Sequence, residues 1–262
     1  MRRSEWEKRV RRAADLAERF AYAQEILAFY GEVLKLQQQI VDEISAPPVA
    51  SDADEAPFRM RLDVTDAGRH LPALLALVEQ KGTAKLAEEA ETIRELSQEK
   101  QREILQEFLA GEASPHAFFA RVLLQPYAER LAATSILQPP TGDRFTCPIC
   151  EGRPQAAVLH PEGDGGKRFL LCSLCLREWE FRRILCAACG EQDYTKLPRY
   201  SAEDHESVRV EACDTCHFYL KSIDMTVDGL AVPLVDEVAS VPLDLWAAEH
   251  GYKKLEANLM GF

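Results

Sequence analysis

Eight cysteines, every one in a CxxC pair, constrain this chain more than anything else in it. They are Cys147 with Cys150, Cys172 with Cys175, Cys186 with Cys189, and Cys213 with Cys216, and none is left over. A CxxC turn points two sulfurs at one ion, while its backbone N–H groups hydrogen-bond the thiolates and reduce the cost of gathering negative charge. One such pair is a weak indication. Four within 70 residues point to metal binding, because a cytoplasmic chain keeps its thiols reduced and uses them as ligands or redox groups.

The segments between the pairs suggest how they combine. RPQAAVLH, PEGDGG and KRFLLC follow Cys150, and YTKLPRYS, AEDHE and SVRVEAC follow the third pair. Each is an extended run, a turn and a second extended run that delivers the next pair, which is the pattern of a β-hairpin. Residues 147–175 and 186–216 are thus an internal repeat of 29 and 31 residues. A hairpin brings its ends together, so Cys147, Cys150, Cys172 and Cys175 form a first site, and Cys186, Cys189, Cys213 and Cys216 a second. The ten residues LREWEFRRIL join the two. Cross-bracing, first pair with third and second with fourth, is the competing geometry, and a single compact site over 172–189 would orphan four thiols. Four thiolates suit tetrahedral zinc or a single iron, which the spacing does not separate; iron–sulfur clusters use other spacings and rank third.

The first 140 residues hold no cysteine and read as helices. Ser4 and Glu7 form a capping box that opens a long amphipathic stretch, and apolar residues from Ile26 to Ile44 keep helical spacing. Residues 45–68 read as a loop. A helix is expected from about 70 to a C-cap at Gly82, one long charged helix from Thr83 to Gly111, and another after Ser114-Pro115 that Pro126 should kink or split. A linker follows over 135–146, and VPLDLWAAEHG reads as a short helix from about Pro242 to His250. The expected fold is α+β: a helical bundle over 1–140, then two tandem rubredoxin-like or zinc-ribbon modules over 141–182 and 183–262, each holding a four-cysteine metal site, with a short C-terminal helix and tail in the second.

Other chemistry is not indicated. Net charge is -12 overall, and 11 basic against 13 acidic residues over 141–223 leave the cysteine half at -2. Two tetrathiolate centres with divalent ions take that to about -6, so nucleic acid is not an expected partner. Arg177, Arg182 and Arg183 read as a solvated face and Trp179 as core. No stretch approaches about 20 apolar residues, so stable membrane insertion is not expected, and the arginine pairs near the start precede no apolar export signal. CDTCH, with His217, matches a c-type haem motif, but haem would strip half the ligands from the second site. Thioredoxin-like exchange lacks its strand–helix surroundings. His70, His116, His160, His205 and His250 are scattered, and no GxGxxG, P-loop, GxSxG or HExxH occurs, so no enzyme is indicated.

CPIC, RFLLCSLCLREWEFRRILCAAC, CDTCHFYLKSID and GYKKLEANLMGF together resemble the formate dehydrogenase accessory protein family, FdhE, over essentially the whole chain. The resemblance implies a cytoplasmic maturation factor that binds the catalytic subunit of an exported respiratory formate dehydrogenase before twin-arginine export. It favours iron over zinc as the two bound metal ions. It leaves open whether the client's signal peptide or its mature domain docks, and whether the factor is a homodimer. An acidic groove, between helices or between bundle and ribbons, would suit a signal peptide that is basic and then apolar. The alternative is a rubredoxin-like electron carrier or oxygen sensor acting on the client's metal centre. One departure is Glu151, where glycine often follows the second cysteine of a knuckle; Gly152 comes one place later, which brings the knuckle's hydrogen bonds into question.

Overall fold

The computed structural model describes residues 3–44, 58–112, 114–135, 143–163 and 165–262. The Ser4 side chain, on which the expected cap depends, the loop over 45–57 and linker residues 136–142 lie outside what it describes. The helical half is α1 (Arg3–Arg19), α2 (Gln24–Glu43), α3 (Val64–Gly68), α4 (Leu71–Lys81), α5 (Ala84–Glu95), α6 (Gln98–Ala110) and α7 (Ala117–Thr134). Several boundaries differ from the periodicity reading, each for a local reason. The first amphipathic stretch breaks at Phe20, which is extended, before a 3-10 turn over Ala21–Ala23. The expected loop contains α3, because the Asp63 side chain accepts from the N–H groups of Thr65 and Asp66 at 2.9 Å.

The expected Thr83–Gly111 helix is two helices. Leu96 is extended, Ser97 caps α6 through Lys100 N–H, and the Ile93 carbonyl, which takes the Leu96 N–H, also accepts from the Gln101 amide at 2.9 Å. Helix α7 is buried on every side from Phe119 to Ala128 and forms the axis of the bundle. Pro126 lies inside it without splitting it. A proline at 126 removes the N–H that would bond the Val122 carbonyl. The Gln37 amide from α2 supplies that donor instead at 3.0 Å, and also bonds Gln125.

The cysteine half forms one sheet of seven strands: β1 (Pro154–Glu162), β2 (Gly165–Cys172), β3 (Glu178–Glu180), β4 (Arg199–Ser201), β5 (Val208–Ala212), β6 (Phe218–Asp224) and β7 (Lys253–Lys254). Its order is β3-β2-β1-β6-β5-β4, with β7 also beside β6. Each repeat is an antiparallel hairpin, β1–β2 or β4–β5, followed by a third strand after the second knuckle, β3 or β6. The second hairpin is shorter than its sequence pattern suggests, because Asp193 caps a 3-10 turn over Tyr194–Lys196 and Pro198 follows it. Parallel pairing of β1 with β6, from Ala156 with Lys221 to Leu159 with Asp224, joins the repeats edge to edge.

Helices α8 (Pro233–Ala239) and α9 (Val241–Glu249) cover the sheet face that carries Tyr219 and Lys221. Arg12 of α1 reaches Asp236 on α8 at 3.0 Å and Asp228 at 2.6 Å, which ties the bundle to this layer. No helix among the described residues is long and apolar enough to cross a membrane.

The Gln37 substitution for a missing backbone donor is testable. Gln37→Leu should destabilise the bundle by about 1–3 kcal/mol in urea unfolding, since it strands a buried carbonyl. Adding Pro126→Ala, which returns the N–H, should recover most of that loss in a double-mutant cycle; strictly additive effects would show that the two groups are not coupled.

Candidate metal centres

Each CxxC pair forms the same knuckle. The first cysteine N–H donates to the carbonyl five residues on: Cys147 to Gly152, Cys172 to Arg177, Cys186 to Glu191 and Cys213 to Phe218, all between 2.8 and 3.0 Å. The residue after the second cysteine turns to positive φ in all four: Glu151 at 58°, Leu176 at 56°, Gly190 at 78° and His217 at 58°. Only one of these is glycine, so three knuckles hold an L-residue in the left-handed region at about 1–2 kcal/mol each. Glu151 still donates its N–H to the Cys147 carbonyl at 3.0 Å, so the departure from glycine leaves the knuckle's hydrogen bonds intact. Gly152 is needed for another reason. A Cβ there would stand 3.1 Å from the Cys172 sulfur and 3.3 Å from that of Cys150.

The structure brings the eight cysteines together as two quartets. Cys147, Cys150, Cys172 and Cys175 form one, with Cys147–Cys175 at 3.5 Å, Cys150–Cys172 at 3.3 Å and Cys150–Cys175 at 3.5 Å. Cys186, Cys189, Cys213 and Cys216 form the other, with Cys186–Cys216 and Cys189–Cys213 at 3.7 Å. A tetrahedron with metal–sulfur bonds of about 2.3 Å has sulfur–sulfur edges of about 3.8 Å, which these two edges of the second quartet match and these three of the first slightly undercut. All eight are free thiols, far beyond disulfide bonding distance. The donor set is soft and four-fold, and backbone N–H groups of Ile149, Leu174 and Ala188 point at the sulfurs of Cys147, Cys172 and Cys186. Each quartet therefore fits a single zinc or iron ion.

Electrostatics support the same conclusion. Burial pushes the Cys172 thiol up, and hydrogen bonds with the neighbouring sulfurs push Cys175 up, while those sulfurs draw Cys150 well below the ordinary thiol range. In the second quartet burial raises Cys186 and Cys216; it opposes ionisation of Cys213 too, but N–H groups of Cys216 and Thr215 outweigh it there. Four adjacent thiols share a few protons in this way until a cation neutralises them together.

The first quartet sits in the main core with all four cysteines at most 1% exposed, and the bundle braces its knuckles. Arg59 donates to the Cys150 carbonyl at 3.1 Å. Arg121, buried on α7, donates to the Ser173 carbonyl at 2.9 and 3.1 Å, to the Ala257 carbonyl at 2.7 Å and to Gln155; Gln125 adds a bond to Ser173 at 3.1 Å. Charge and motif alone gave no reason to single out Arg59 and Arg121; their partners are backbone carbonyls distant in sequence. Trp179 is buried and donates to the Arg144 carbonyl at 2.8 Å, whereas Arg182 and Arg183 are exposed on the connector. His217 packs its ring against Tyr252.

A cleft of about 1720 Å³ opens beside the first quartet, between the bundle and the chain's last residues. Phe29 and Phe118 line one wall, Met260 and Phe262 another, and knuckle residues Ser173 and Leu174 face it. This cleft is not an acidic groove of the kind expected: five glutamates and five basic residues line it.

A helical bundle docked on one sheet that presents two four-cysteine knuckle sites defines a two-centre, ribbon-type metal-binding protein. Residues 146–183 match the family model described as FdhE, central domain, and residues 184–260 match FdhE, C-terminal domain. "Protein FdhE homolog" of Aquifex aeolicus is 30% identical over 94% of this chain and 92% of its own length; that of Haemophilus influenzae is 26% identical over 97% and 87%. The crystal structure of the FdhE protein from Pseudomonas aeruginosa superposes with a TM-score of 0.79 at 26% identity, covering 100% of this chain and 97% of that one. The chain belongs to the FdhE family.

The two roles of glycine and non-glycine in the first knuckle predict opposite outcomes. Gly152→Ala should cost about 1–3 kcal/mol by crowding two sulfurs. Glu151→Gly should be close to neutral, because relief of the left-handed residue offsets the added freedom of the unfolded chain. Thermal unfolding of the two variants checks both; equal effects would contradict the packing account.

Proposed function

We propose that this chain is a cytoplasmic, non-catalytic maturation factor that holds one metal ion, iron or zinc, at each cysteine quartet. In this reading it binds the catalytic subunit of a respiratory formate dehydrogenase before twin-arginine export. The three segments 1–140, 141–182 and 183–262 are proposed as its folding units. The supporting observation is the cleft whose wall includes a knuckle of the first quartet. Ser173 and Leu174 lie between the ligands Cys172 and Cys175, so an ion there fixes a part of the docking surface. Arg121 carries that constraint to the tail, since one guanidinium holds both Ser173 and Ala257. The apolar walls suit an extended or helical client segment, and the interspersed charges of both signs select its orientation rather than simply attracting a basic peptide.

A second reading, a rubredoxin-like carrier of single electrons or an oxygen sensor, draws on the exposure of Cys189, which brings one centre to the surface. Anaerobic affinity isolation from the native cytoplasm, followed by mass spectrometry and metal analysis, discriminates between them. The maturation reading expects a formate dehydrogenase catalytic subunit to be retained, and to be lost both when Cys172 and Cys175 are replaced and in Leu245→Glu, which alters an exposed cleft residue but no ligand. Two metal equivalents with no such subunit would sink it, and red, reversibly bleached protein would then favour electron transfer.

A further inference from the structure

The two quartets share one knuckle geometry but differ in what surrounds them. Every sulfur of the first is sealed in the core, and Arg59, Arg121 and Gln125 hold its knuckles to the bundle. In the second, Cys213 is 1% and Cys186 8% exposed, Cys216 is half-buried and Cys189 is exposed. No bundle side chain among the described residues bonds its knuckles. One side chain joins them instead: Glu191, after the third pair, accepts from the Thr215 hydroxyl inside the fourth at 2.6 Å. Its other oxygen accepts the N–H groups of Gln192 and Asp193 at 2.9 and 3.0 Å, which fixes the carboxylate.

We propose that the second quartet is a ligand-exchange site for small thiols, with Cys189 as the leaving ligand and Glu191–Thr215 as the clasp that limits its opening, while the first quartet holds its ion permanently. The chemistry is substitution without redox change. An incoming thiolate forms one sulfur–metal bond as the Cys189 bond breaks, the number of sulfur ligands is kept, and the proton given up by the incoming thiol is available to the released Cys189 sulfur. Access decides between the quartets: a small thiol meets the Cys189 sulfur at the surface, whereas reaching the first quartet requires the bundle to separate from the sheet. This proposal depends on metal binding but not on any client.

The test uses the full chain loaded with zinc. Dithiothreitol is added, zinc release is followed with a colorimetric indicator, and pulsed alkylation with peptide mapping identifies which cysteines become reactive. One equivalent should leave about tenfold faster than the other, or more, because local opening is cheaper than global. Cys189 should label first, the remaining cysteines of its quartet next, and Cys147, Cys150, Cys172 and Cys175 only in the slow phase. Thr215→Val removes the clasp but no sulfur and lies on the surface, so folding should survive; it should speed the fast phase by about threefold or more and leave the slow phase unchanged. Loss of both equivalents at one rate, or labelling of the first quartet as early as Cys189, overturns the proposal. A fast phase unchanged by Thr215→Val overturns the clasp.

Discussion

Four thiolates cannot be gathered without compensation, and the cysteine half is organised around supplying it. Each sulfur pair lies on a turn whose N–H groups face inward, and each turn closes only if the next residue adopts a left-handed backbone. Three of those positions carry Glu151, Leu176 and His217, so strain is accepted at residues where glycine would fold more easily. Such strain persists when surrounding structure over-determines it. Here the over-determination comes from the hairpins, which fix the two ends of each repeat against each other. Four of the sheet's strands are in this sense part of the sulfur sites: β1 with β2, and β4 with β5, form the hairpins that bring each pair to its partner.

The C-terminal residues are held by a second, separate electrostatic constraint. Lys221 and Glu237 are both wholly buried, 3.2 Å apart, and Asp244, Lys254 and Asn258 complete the group. Burial lowers the Lys221 pKa and opposes ionisation of Glu237, yet the lysines hold Glu237 below the ordinary carboxylate range. A buried ion cluster of this kind adds little net stability over an apolar core, but leaving one member unpaired costs about 3–5 kcal/mol. The cluster links β6, α8, α9, β7 and the tail through Lys221, Glu237, Asp244, Lys254 and Asn258, and the tail so held places Leu259 and Met260 along the cleft.

How much of this was legible in sequence follows from what each element depends on. The cysteine pairing was readable because a hairpin brings the CxxC pairs at its two ends together, which favoured sequential pairing over cross-bracing, and most bundle helices because their apolar faces repeat at helical spacing. The strand β6, FYLKSID, was hidden by Lys221, a charge at its centre that only the buried cluster explains. Helix α8 went unassigned likewise: its two adjacent carboxylates, Asp236 and Glu237, are both buried against cations remote in sequence. Pro126 predicted a break that Gln37, nearly ninety positions earlier in the chain, prevents. In each case the deciding partner is remote in sequence. The α5–α6 break and α3 are different: Ser97 and Asp63 are local caps, and a closer reading of capping residues would have found them.

The internal repeat also shows how one motif acquires two environments. Each hairpin closes one quartet, yet the two quartets are not equivalent. Pairing of β1 with β6 places the repeats side by side in a single sheet, and among the described residues the bundle bonds the knuckles of only one of them. Beside the other quartet lie β7 and Tyr252, whose hydroxyl donates to Asp214 at 2.6 Å within the fourth knuckle. Burial therefore differs although ligand type, spacing and turn geometry do not. The asymmetry arises from where α7 docks, through Arg121 and Gln125 on the Ser173 carbonyl. Equivalence of the cysteine pairs in sequence thus implies shared coordination chemistry, while access to that chemistry is set by the helical half, which contains no cysteine at all.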